Sequence, residues 1–256
     1  MTHSHNRYTH GHQESVLRSH RWRTAENSCG YLLPHLRADM TMLDVGCGPG
    51  TITADLATRV RTITGIDPSA SVIAEARRDF PDLDVRVGDV FSETGHYDVV
   101  HAHQVLQHLA DPIGALRRMG ELGDLVAVRE SDYTWFQWSP AAPALERWRD
   151  VYLAVTRRND AEAHAGRFLL AWAHAAGFTD VTYTCTNWTF ATPEDRAFWC
   201  GMWADRCVDS SFAQQAVDYG ISTTDEMASL ATAWREWAKD DDAVFVVPHG
   251  EILARH

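Results

Sequence analysis

The residues best suited to hold a ligand lie in one short run, Leu43-Asp44-Val45-Gly46-Cys47-Gly48-Pro49-Gly50. Three glycines at alternate positions leave the backbone bare, so a bound molecule can come close to the main chain, beside the positive end of the helix that follows. The spacing G-x-G-x-G departs from the G-x-G-x-x-G of nicotinamide-binding turns, and the Gly-Lys-Ser/Thr of a Walker loop is missing. Two carboxylates follow at comparable places. Gly65-Ile66-Asp67 closes the next apolar run, and Val87-Gly88-Asp89-Val90 closes the one after it. His103-Gln104 then follows the run that begins at Asp98. Taken singly, Asp67 and Asp89 would read as loop or capping residues. Together they fall at strand ends, on the side where open α/β sheets bind ligands.

Positioning these groups requires a sheet. From Met42 to about Val128, short apolar runs at 42–45, 62–66, 85–87, 97–100 and 125–128 alternate with amphipathic stretches at 52–59, 70–78 and 112–122. Asp111-Pro112 is a helix start, because Asp can cap free N–H groups and Pro is tolerated at the first helical position. Further on, the pattern predicts a helix over 161–176 closed by Gly177, a strand over 181–190 and a helix opened by Thr192-Pro193. Another helix begins at about Thr224, with Met227, Leu230, Trp234 and Trp237 on one face, and a last strand covers 243–247. Ahead of the sheet, 13–36 reads as helical, limited near its end by Pro34. Strands separated by helices in this order predict an α/β fold with a doubly wound, mainly parallel sheet.

The glycine-rich run resembles motif I of the class I methyltransferases that depend on S-adenosylmethionine (SAM), and the later segments keep that family's order across roughly residues 40–130. The resemblance implies a seven-stranded Rossmann-like methyltransferase fold with an embedded helical cap and SAM as cofactor. By the same resemblance Asp44, Gly46, Cys47 and Gly48 cradle the cofactor. Asp67 with Pro68 receives the ribose hydroxyls, Gly88, Asp89 and Val90 meet the adenine, and His103 and Gln104 contact the methionine part. Leu106-Gln107-His108-Leu109, the Arg129-Glu130 pair and the ending Pro248–Ala254 resemble small-molecule methyltransferases of ubiquinone and menaquinone biosynthesis. The segment around Tyr8, His10 and His12, continuing to Arg21-Trp22-Arg23-Thr24, resembles their flap over the cofactor. The organisation expected is one domain over 1–256. It has a flap and helices at 1–36, a cofactor half at 37–135, and a substrate half at 136–256 with its cap at about 192–240.

Composition narrows the partners. The chain has 256 residues, 45% hydrophobic and 23% charged, with a formal net charge of −12. That balance disfavours nucleic acid and anionic membrane surfaces, which ask for a basic face. No apolar run reaches membrane-span length and the polar start is no signal peptide, so a cytoplasmic location is expected. Five cysteines without a C-x-x-C pair are expected to be reduced thiols, and no metal is expected.

Methyl transfer from a sulfonium is an in-line displacement, so a protein base is needed only where the acceptor must lose a proton. His20 and Tyr133 are the candidates, one in the flap and one just beyond the fifth strand; His108 reads as a packing residue. The tryptophans beyond residue 130 read mainly as core at helical spacing. They also suit an apolar acceptor site for an aromatic or lipid-like small molecule. The sequence leaves open a SAM-binding relative that no longer transfers methyl, cyclase-like or regulatory.

Overall fold

Each apolar run of the first half becomes a strand: β1 Thr41–Val45, β2 Thr62–Asp67, β3 Asp84–Val87, β4 Tyr97–His103 and β5 Gly123–Ser131. They pair in parallel in the order β3-β2-β1-β4-β5, with Thr41 opposite Thr62 and Met42 opposite Val99. The computed structural model describes residues 22–256, which fall into two compact units. The larger contains residues 22–131, 165–186 and 249–256; the smaller contains residues 132–164 and 187–248.

In the larger unit, β8 Val244–Arg255 runs antiparallel to β5 through its residues 249–254, and β7 Asp180–Phe190 pairs with β8. The helices are α1 Ala25–Cys29, α2 Thr51–Ala57, α3 Ala70–Asp79, α4 Pro112–Leu122 and α6 Ala165–Ala176. Alternation along the strands divides the core between the two faces of the sheet. Leu43, Val100, Ala102, Val126 and Val128 meet Leu116 and Met119 of α4 and Leu169 of α6. Met42, Val99, Leu125 and Ala127 meet Cys29 of α1 and Leu56 of α2. Each fully buried Val, Leu or Met among them contributes about 1.5–3 kcal/mol. At the head of α4, Asp111 accepts the Gly114 N–H at 2.8 Å, and Pro112 takes the first turn as expected.

The smaller unit holds α5 Pro143–Arg158, α7 Pro193–Arg206, α8 Ser211–Asp218 and α9 Thr224–Trp237, and β6 Gln137–Ser139 pairs with Val244–Val246 of β8. Its core is aromatic. Trp148, Trp203 and Trp234 are fully buried, with Trp148 edge-on to Trp203 at 4.4 Å and to Trp234 at 4.9 Å. Thr192 and Asp195 close a capping box at the start of α7, and Thr223 caps α9.

Three local expectations change. Within 13–36, the described residues hold only α1 and a 3₁₀ turn at Leu33–His35; residues 13–21 lie outside the described residues. Residues 143–158 form α5, with Leu145, Trp148, Val151, Tyr152 and Val155 buried at helical spacing. The helix predicted from 161 starts at Ala165, because the Glu162 carboxylate accepts the His164 backbone N–H and holds its ring, a local turn that competes with the helix. The last strand does not end at Val247. It runs to Arg255 with Pro248 inside, because Pro248 falls between the stretch that pairs with β6 and the stretch that pairs with β5, where no ladder N–H is needed.

Backbone meets backbone where α6 crosses β8. A Cβ on Gly250 would strike the Gly166 carbonyl, and one on Gly166 would lie 2.7 Å from the Glu130 carbonyl. Gly250→Ala is therefore expected to lower unfolding free energy in urea by about 1–3 kcal/mol. Gly201→Ala, in α7 with nothing within 4 Å of the new methyl, is expected to be neutral or stabilising by up to about 1 kcal/mol. Equal stability of the two variants would contradict the contact.

Candidate cofactor site

The glycine-rich run turns sharply at the end of β1. Gly46, Gly48 and Gly50 have φ of 70°, 56° and 84°, left-handed values that side-chain-bearing residues rarely adopt. Gly46 and Cys47 both donate their N–H to the Ile66 carbonyl, at 2.7 and 3.0 Å, which ties the turn to the end of β2. Position 46 must be glycine for a second reason: a Cβ there would strike Val105 in the segment after β4.

Asp67 ends β2 beside this turn. One carboxylate oxygen accepts the Gly48 N–H at 3.2 Å and the other the Ser69 N–H at 2.9 Å. A carboxylate only accepts hydrogen bonds, so its oxygens suit hydroxyl donors brought beside the turn. Pro68 follows, exposed. Gly88 donates its N–H to the Asp67 carbonyl at 3.1 Å, joining the end of β3 to the same place. Asp89 is exposed and holds a turn, one oxygen accepting the N–H groups of Phe91 and Ser92; Val90 is buried in the core.

At the end of β4, His103 is buried and stacks on His249 with ring centroids 6.1 Å apart. Burial, then the charges of Arg23 and Arg129, hold its pKa well below the usual histidine value, so its ring is neutral. Gln104 has φ of 56°, unusual for a residue with a side chain, and donates its backbone N–H to the Arg129 carbonyl at 2.8 Å. Arg23 donates to Gln104 Oε1 at 2.8 Å. A guanidinium can only donate, so the amide orientation follows, and Gln104 Nε2 donates to His249 Nε2, also at 2.8 Å. His249 then carries its own proton on Nδ1. The larger unit thus gathers Asp44, Gly46, Cys47, Gly48, Asp67, Pro68, Gly88, Asp89, Val90, His103 and Gln104 at the ends of β1 to β4. A glycine turn open to close approach with a carboxylate beside it fits a nucleoside carrying an amino-acid group.

A family model described as a methyltransferase domain matches residues 17–183. The chain belongs to this family. It is a SAM-dependent methyltransferase of class I. An uncharacterized methyltransferase of Schizosaccharomyces pombe is 27% identical to it over 270 residues, covering 96% of this chain and 95% of its own length. A mycolic acid cyclopropane synthase solved with S-adenosylhomocysteine and CTAB shares the fold, with a TM-score of 0.55 at 13% identity over 90% of this chain and 82% of its own. A ubiquinone biosynthesis O-methyltransferase of Nitrosospira multiformis is 31% identical over 102 residues, 36% of this chain and 43% of its own length. The likeness to the ubiquinone type in that comparison is confined to this stretch.

In the methyltransferase, the Asp44 carboxylate faces inward. It accepts the Thr53 hydroxyl at 2.6 Å and bonds His101 Nδ1 at 2.7 Å, while His101 Nε2 lies 3.3 Å from Cys29 Sγ, all buried. Asp44 thereby joins β1, α2, β4 and α1 beneath the turn. Cys47 is also buried, and burial followed by the Asp44 and Asp67 carboxylates pushes its thiol pKa far up, so it is a neutral packing group. Of the two candidate bases, His20 lies outside the described residues. Tyr133 belongs to the smaller unit, its ring stacked on Tyr152 at 4.0 Å and Phe136 at 4.4 Å. His108 ends a 3₁₀ turn, and burial pulls its pKa down to about 3. Among the described residues no group of three or more His, Cys, Asp or Glu side chains is placed to hold a metal ion. The Arg23–Gln104–His249 chain and the Asp44–His101 pair carry no local sequence signal, since their members stand 57 to 145 positions apart.

Burial alone would lower the His101 pKa, but the Cys29 sulfur and the Asp44 carboxylate outweigh it and push the value up to about 10. The folded value lies above the unfolded value of about 6.5, so the stabilisation is complete below that pH and is lost as pH rises towards the folded value. Urea unfolding at pH 6, 7, 8 and 9 is expected to show His101→Asn less stable at pH 6 by about 3–5 kcal/mol, with the gap narrowing towards pH 9. A gap that widens with pH would contradict a charged His101.

Proposed function

We propose that this methyltransferase acts on a small, apolar or aromatic acceptor, and that SAM is held by the eleven residues at the ends of β1 to β4 named above. The aromatic build of the smaller unit supports the acceptor class: Tyr133, Phe136, Trp148, Tyr152, Trp199 and Trp203 lie in mutual ring contact there. Such an environment favours apolar molecules and disfavours charged ones, which would lose hydration without a partner. The net charge of −12 accords with a partner that is neither nucleic acid nor an anionic surface. No described helix is long and apolar enough to cross a membrane.

When bound, SAM supplies a methyl group already activated by a sulfonium charge. The chain's work is then to align the acceptor, exclude water and, where the acceptor carries a proton, remove it. Tyr133 is proposed for that last role, its ring fixed by the stack so that the hydroxyl keeps one position; His20 is the second candidate.

Titration with S-adenosylhomocysteine (SAH) is expected to show binding and titration with NADH none. Asp67→Ala is expected to weaken SAH by about 10–100-fold, the loss of charged hydrogen bonds. Unchanged affinity would remove Asp67 from the site. A mass screen of phenols, quinols, lipids, amines and acids is expected to find the added methyl on the apolar or aromatic members. Transfer only to charged acceptors would overturn the acceptor class, and SAH binding with no product at all would favour a non-transferring relative. Tyr133→Phe keeps the stack and is expected to lower kcat by about 10²-fold on an acceptor that must lose a proton; unchanged kcat would leave Tyr133 a core residue.

A further inference from the structure

Arg129 and Glu130 stand side by side in the sequence yet serve opposite faces of the sheet, as strand alternation requires. Arg129 bonds Glu251 of β8 at 2.9 Å, and that carboxylate also receives the hydroxyls of Thr184 and Thr186 of β7. Glu130 instead turns its buried carboxylate to the segment after β4, where Oε1 accepts the backbone N–H groups of Val105 at 2.8 Å and Leu106 at 2.6 Å. Its Oε2 is buried with no partner among the described residues. Burial raises the carboxyl to about 8, against the opposing pull of the Leu106, Val105 and Gln107 N–H groups.

Two consequences meet at the cofactor turn. Val105 is held by its N–H, and its side chain fills the space that a Cβ on Gly46 would need. Gln104 is caught between the Arg129 carbonyl, which takes its N–H, and the peptide that Glu130 holds, and it keeps its left-handed φ of 56°. Without the carboxylate, two backbone donors would be buried without an acceptor, and the 104–106 backbone would have reason to rotate.

We propose that Glu130 is a positioning residue for cofactor binding: its carboxylate fixes Val105 and Leu106 so that Val105 closes over Gly46 and Gln104 is presented to SAM. This rests on the reading that the Gly46 turn and Gln104 hold the cofactor. A purely structural cap would affect stability and leave the affinity of the folded protein alone. Glu130→Gln keeps an acceptor oxygen, Glu130→Ala removes it, and Val105→Ala trims the contact with Gly46 while leaving Glu130 in place.

SAH affinity and the melting temperature are measured together for the wild type, these three variants and Asp67→Ala, with every titration run well below the melting temperatures. Glu130→Ala is expected to bind SAH about 10–100-fold more weakly while folded, with Glu130→Gln recovering most of the loss. Val105→Ala is expected to bind more weakly by about 3–10-fold at a near wild-type melting temperature. Wild-type affinity in folded Glu130→Ala overturns the proposal, and if that variant does not fold, wild-type affinity in Val105→Ala does so. Wild-type affinity in these variants alongside a loss in Asp67→Ala overturns this inference alone. No SAH binding by the wild-type protein overturns the cofactor reading beneath it.

Discussion

No side chain can stand at position 46 while Val105 stands where it does, and the geometry of the larger unit converges on that exclusion. β1 and β4 are hydrogen-bonded neighbours at the middle of the sheet, so the turn after one and the segment after the other leave the sheet side by side. Each is fixed from outside itself. The turn is held by the Ile66 carbonyl and the Asp67 carboxylate at the end of β2, and the segment by Glu130 and the Arg129 carbonyl of β5. Strands that flank the central pair thus set the main-chain surface that a ligand would meet.

This arrangement buries charge. Asp44 with His101 and Arg129 with Glu251 lie in the interior of the sheet. Removing charges from water costs several kcal/mol each, so such pairs are poor sources of net stability. Their value is geometric. A carboxylate that must collect a Thr53 hydroxyl and a His101 ring admits few arrangements of β1, α2 and β4. The smaller unit uses a different material, indole and phenol rings at edge-on and stacked distances, and its rigidity comes from packing.

The strands and most helices were legible in the sequence because their signals are local. Asp111-Pro112 and Thr192-Pro193 announce helix starts within a few residues, and the short apolar runs match single strands. Asp67 was legible through its place after an apolar run, and the structure puts it against Gly48. α5 carries an equally local signal, a plain helical spacing of apolar residues from Leu145 to Val155. The contacts around the site are another matter. Nothing near Gln104 announces Arg23 or His249, and nothing near Glu130 announces that its partner is the backbone of Val105. Asp44 combines the two: its place in the motif is a local signal, while nothing near it announces Thr53 or His101 as partners of its oxygens. Long-range polar pairing has no periodicity, and residue type alone cannot say which way a buried carboxylate faces.

The claim that the turns after β1, β2, β3 and β4 form one cofactor site can be read directly from amide hydrogen exchange with and without SAH. SAH is expected to slow exchange together at 46–50, 67–69, 88–91 and 103–106, along a single saturation curve. Slowed exchange that spares 46–50, or that appears in these segments at different SAH concentrations, would contradict a single site built on the glycine-rich turn.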